Sequence, residues 1–89
     1  MSIVVEHLSN EELKTRGVAT WPVWEKEVSD FEYAYDETEQ CYFLDGSAII
    51  ETSDGNVQVA AGDFVTFPKG LMCTWHIKSS VRKHYKFGI

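Results

Sequence analysis

The sequence predicts an antiparallel all-β domain, a sandwich or barrel entered through one short helix. Three observations carry this. Roughly seven short strand-like segments follow one another at close spacing. Turn residues separate them, among them Asp45-Gly46, Asp54-Gly55 and Ala61-Gly62-Asp63. No βαβ rhythm interrupts them, which argues against a parallel sheet.

The helix falls in "LSNEELKTRG", around residues 10–16. Ser9 can cap it, with Glu12 at the capping-box spacing, and Gly17 stops it. Pro22, between Trp21 and Trp24, makes the next stretch extended, as an edge strand or lid. "FEYAY" alternates, so Phe31, Tyr33 and Tyr35 share a face. "EQCYFL" runs into Asp45-Gly46, "SAIIET" into the hairpin signal Asp54-Gly55, and "VQVA" into Gly62. "FVTF" is ended by Pro68, which cannot donate to a ladder, and Gly70 permits a sharp re-entry into the sheet. "LMCTWHI" then sets Cys73, Trp75 and Ile77 on one face. After a "KSS" turn, "VRKHYKF" sets Val81, Lys83, Tyr85 and Phe87 on one face.

Eighty-nine residues allow one domain, 1–89, and hydrophobics at 44% allow a packed interior. The formal net charge of −6 leaves no basic field for a phosphate backbone, so nucleic-acid binding is not expected. The N-terminus lacks the charge and apolar run of a secretory leader, and no apolar run approaches a membrane span. Two cysteines, Cys41 and Cys73, are too few for a disulfide framework. A cytoplasmic protein with reduced thiols and no membrane partner is the expectation.

Gly62, five residues, Pro68, Lys69, Gly70, two residues and Cys73 resemble the second cupin motif, G-x5-P-x-G-x2-H-x3-N. Glu39, six residues and Gly46 resemble the second half of the first, G-x5-H-x-H-x3-4-E-x6-G. With "WPVWEKEVSDFEYAYDETEQCYFLDG" and "VRKHY", nearly the whole chain is similar to the small single-domain cupins related to the ureidoglycine aminohydrolase cupin domain. The resemblance implies a cupin jelly-roll barrel, usually dimeric, with a pocket inside it. The departures include three of the four usual metal positions. Glu27 stands for the opening glycine, Tyr33 and Tyr35 for two histidines, Cys73 for the third, and Ile77 for the final asparagine. Of the usual ligand positions only Glu39 is kept.

Those departures shape the site expected. Glu39 and Cys73 are the two plausible metal ligands, a hard carboxylate and a soft thiolate, and Tyr33 or Tyr35 could add a phenolate; the set is too poor and too mismatched to hold a divalent ion tightly, and no cofactor is expected. His7, His76 and His84 read as surface residues. Glu39 on an apolar face needs a partner, and Lys83, also on an apolar face, supplies one. Cys73 is either a nucleophile activated by Lys83 or a small buried apolar residue, and Cys41 reads as core. Trp21, Trp24, Tyr33, Tyr35 and Trp75 are candidate pocket walls, the two tyrosines offering hydroxyls to a polar ligand. Outward Tyr42 and Leu44 would give an apolar patch suited to a homodimer.

Three function classes remain open. One is a metal-independent enzyme or enzyme-like binder of a small polar molecule, with Glu39, Lys83 and Cys73 as candidate catalytic residues. The others are a non-catalytic ligand-binding or sensing module and a dimerisation domain with a vestigial pocket. An open, polar interior favours the first two.

Overall fold

The computed structural model describes residues 2–88. Strand β1 (Val4–Glu6) is followed by helix α1 (Asn10–Thr15), a 3₁₀ turn at Val18–Thr20, and strands β2 (Val23–Lys26), β3 (Ser29–Ala34), β4 (Glu39–Thr52), β5 (Gly55–Ala60), β6 (Phe64–Phe67) and β7 (Met72–Phe87). Every strand pair is antiparallel. α1 carries the capping box read from the sequence, Ser9 receiving the Glu12 amide at 3.1 Å. It ends at Arg16, with Gly17 at φ +68°.

The long strands β4 and β7 organise the barrel. The first half of β4 pairs with the second half of β7, from Glu39↔Phe87 to Phe43↔Lys83. The second half of β4 pairs with the first half of β7, from Ala48↔Ile77 to Glu51↔Thr74. On one side of the bend the order is β1-β6-β4-β7-β2. On the other, β3 adds to β7 and β5 to β4. The two halves wrap one core that includes Cys41, Phe43, Ile50, Val65, Phe67, Trp75, Ile77 and Val81.

Asp45-Gly46 and "KSS" are therefore not turns. Both lie inside continuous strands, where the β4–β7 register shifts between Phe43 and Ala48. The shift changes the parity of β4: Glu39, Cys41 and Phe43 are buried before it, Ala48 and Ile50 after it. The β4–β5 hairpin turns through Ser53 and Asp54, and Gly55 already pairs with Thr52.

A second, smaller apolar layer lies outside the barrel. Phe64, buried but outside the main core cluster, packs against Trp21, ring centroids 6.2 Å apart, with the Arg16 guanidinium 5.0 Å above it. Trp21 thus leaves the expected set of pocket walls. Tyr42 and Leu44 are half-buried rather than exposed. The exposed large apolar side chains are instead Val4, Val5, Val23, Val28, Tyr33, Met72 and Phe87.

Candidate functional site

Alternation puts Glu39 and Cys41 on one face of β4 with Phe43, and Lys83 on one face of β7 with Val81, and burial of Phe43 and Val81 makes these the barrel's inner faces. Glu39 and Lys83 are each only 4% exposed. Lys83 Nζ lies 3.3 Å from both carboxylate oxygens of Glu39 and 3.2 Å from Cys41 Sγ. The pairing register puts Trp24 on one side of Lys83 and Phe43 on the other. Aromatic rings accordingly surround the ammonium: Trp75 at 4.9 Å, Trp24 at 5.1 Å, Phe67 at 5.8 Å and Phe43 at 6.0 Å from Nζ to centroid. Ring faces and a carboxylate together compensate the buried cation.

Above this pair opens a cavity of about 170 Å³. Its walls are Trp24, Phe31, Tyr33, Tyr35, Trp75, Tyr85 and Phe87, and Glu39 and Lys83 are its buried polar members. The rings brace each other: Phe31 stacks on Trp75 at 5.8 Å, and Tyr35 stacks on Phe67 at 4.9 Å while meeting Tyr33 edge-on at 4.6 Å. Burial, then the Glu39 charge, pushes up the pKa of both tyrosines, so their phenols stay protonated at neutral pH.

Of the residues singled out from the sequence, the cavity gathers Glu39, Lys83, Tyr33, Tyr35, Trp24 and Trp75. Cys73 is not among its walls. It packs in the core, its thiol donating to the Tyr33 carbonyl at 3.6 Å. Burial pushes the Cys73 thiol up, Glu39 adds to this, and Lys83 opposes it without reversing it. Cys41, read as plain core, is the thiol that touches Lys83. Its pKa is also raised, first by burial. The signal for it was present: Cys41 sits two residues after Glu39 on the same face of the strand. Phe31, Tyr85 and Phe87 complete the walls and were legible only as strand-face neighbours of Tyr33 and Lys83.

The histidines are tied up elsewhere. His7 bonds Asp63 at 2.8 Å, and His84 Nδ1 bonds the Trp21 carbonyl at 2.9 Å. His76 lies between Asp30 and Glu51, at 2.7 and 2.8 Å.

The divalent ion that the cupin resemblance implies does not fit these residues. Lys83 takes both oxygens of Glu39, tyrosines stand at the histidine positions, and Cys73 turns to a backbone carbonyl. Among the described residues no three of His, Cys, Asp and Glu are placed so that they could hold a metal ion. The donors that remain face an ammonium that already carries the positive charge.

An antiparallel barrel with a short N-terminal helix and an internal aromatic pocket is the architecture of a small cupin. The EutQ-like cupin domain family matches residues 13–85, and the chain belongs to that family. A DUF861 family protein of Thermotoga maritima is 45% identical over 98% of this chain and 100% of its own, with a TM-score of 0.95. The Clostridium difficile EutQ protein is 22% identical, over 73% of this chain and 52% of its own, with a TM-score of 0.68. A putative ethanolamine utilization protein Q of Salmonella typhimurium is 18% identical, over 98% of this chain and 69% of its own, also at 0.68. These last two show the fold alone. No match among curated proteins reaches significance. These matches support a small cupin domain and do not show the narrower likeness to the ureidoglycine aminohydrolase cupin domain.

Proposed function

We propose that the protein binds a small, flat, polar molecule in the barrel pocket and acts on it, if it acts, without a metal. One observation carries this reading: a buried Lys83–Glu39 pair lies at the base of an open cavity whose walls are aromatic. Phe31 stacked on Trp75 and Tyr35 stacked on Phe67 brace one another, so the wall rings are fixed surfaces against which a planar body can lie, and the ion pair addresses its polar edge. In an enzymatic version Glu39 moves a proton and Lys83 holds the negative charge that develops on the ligand. The open cavity favours this reading, and a sensing module using the same pocket, over a purely structural domain.

The setting we propose is a homodimer in a reducing compartment. Exposed Val4 and Val5 on β1 and Val23 on β2 support the first, and the free thiols Cys41 and Cys73 support the second. The test is a thermal-shift screen of small ring compounds, amides, acids and amines against the protein and against Trp24→Ala. Saturable stabilisation that Trp24→Ala abolishes supports the reading. No stabilisation by any member at millimolar concentration refutes it.

A further inference from the structure

The pocket's charge balance selects a class of ligand within the reading just given, on which this inference rests. The charged groups of the lining are Glu39 and Lys83, and they cancel. Tyr33, Tyr35 and Tyr85 bring only hydroxyls to the walls, and Cys41 lies behind the pair.

A ligand carrying a net charge would therefore enter a largely apolar cavity with no surplus charge to neutralise it. A cation meets a further obstacle, because Lys83 already lies over two of the wall rings, Trp75 at 4.9 Å and Trp24 at 5.1 Å. An anion is met by Lys83 but also by Glu39, whose oxygens are both 3.3 Å from the same ammonium.

The pair nevertheless has hydrogen-bonding capacity to offer. Charge-assisted N–H···O bonds run at about 2.7–2.9 Å, whereas Lys83 reaches Glu39 only at 3.3 Å, and its other partner is a sulfur at 3.2 Å. Sulfur is a weak acceptor, and a carboxylate has lone pairs beyond the two that face Lys83. An ammonium and a carboxylate side by side present a donor next to an acceptor.

We infer that the ligand is a net-uncharged planar ring compound presenting a hydrogen-bond acceptor beside a donor, as in an aromatic carboxamide, lactam or pyridone. Its carbonyl oxygen takes an N–H of Lys83 and its N–H bonds Glu39, while Trp24, Phe31 and Trp75 flank the ring. No bond is made or broken in this step.

Three probes of nearly one shape separate the possibilities: benzamide (neutral), benzoate (anion) and benzamidine (cation), each titrated calorimetrically into the intact protein at pH 7. The expected ranking places benzamide about tenfold or more above both charged probes, the scale of one poorly compensated charge. Removing one partner should redirect the preference: Glu39→Gln toward benzoate, Lys83→Met toward benzamidine. The wild-type ranking stands without the variants should either fail to fold. Benzoate or benzamidine binding the wild type most tightly, or all three equally, overturns this inference and leaves the pocket a binding site. Silence from all three, with no hit in the broader screen, removes the binding reading together with this one.

Discussion

A Cβ at Gly46 would stand 2.1 Å from the carbonyl oxygen of Ser80. The two residues lie where β4 and β7 bend across each other, and Gly46 holds φ at +89°. Gly46→Ala thus meets backbone as well as strain. It should destabilise by about 3 kcal/mol or more in urea unfolding. Gly62→Ala, at φ +94° with nothing within 4 Å of the added carbon, isolates the strain and should lose only about 1–2 kcal/mol. Equal losses would mean that the Gly46 contact can relax.

The buried ion pair predicts a non-additive cycle. Lys83→Met leaves Glu39 buried and uncompensated, and should lower stability by about 3–5 kcal/mol. Adding Glu39→Gln should recover much of that loss, because a neutral amide tolerates the apolar walls better than a lone carboxylate. Denaturant unfolding of both single variants and the double decides it. Additive effects would mean that the two side chains do not depend on each other.

His76 predicts a pH dependence. Its pKa is raised from 6.5, first by the bond to Glu51 and then by that to Asp30, since an imidazolium donates to both carboxylates. A group raised in the folded state adds stability that is complete below pH 6.5 and fades as pH climbs through the raised value. The Tm gap between the wild type and His76→Gln should be widest near pH 6 and narrow toward pH 9. A gap that widens with pH would reverse the assignment. An NMR titration of the His76 ring should place its midpoint above the ordinary value.

Both thiols should be sluggish. Cys41 and Cys73 are buried with raised pKa values, so an aromatic disulfide reagent at pH 8 should label them mainly through unfolding. Fast labelling of Cys73 in the native protein, slowed in Lys83→Met, would restore its reading as an activated nucleophile.

The sequence announced most of the strands because alternation and turn residues are local signals. Glu39 and Lys83 were visible for the same reason: each is a charge amid apolar strand-face neighbours, and each needed the other. Two bends escaped. Asp45-Gly46 has the composition of a hairpin, yet Gly46 serves the close approach to Ser80 rather than a reversal. "KSS" is polar because the outside of a bend faces water. Trp21 was misplaced because alternation says which residues share a face, not which face is inward, and α1 with its 3₁₀ turn gives Phe64 an outer core to join. Cys41 shares a strand face with Glu39, which the sequence shows, but its contact with Lys83 on the neighbouring strand depends on the β4–β7 register, which the fold sets.

Glu39 and Lys83 sit on the two strands that run through both halves of the barrel. A pocket built on a loop can open while its scaffold stays closed; the backbones that carry this pair cannot move apart without parting β4 from β7. The amide protons of Cys41 and Lys83 should then exchange with solvent only at the rate of global unfolding. Substitutions that loosen the barrel anywhere would disturb the Glu39–Lys83 geometry in step with stability, which leaves little room to change one without the other.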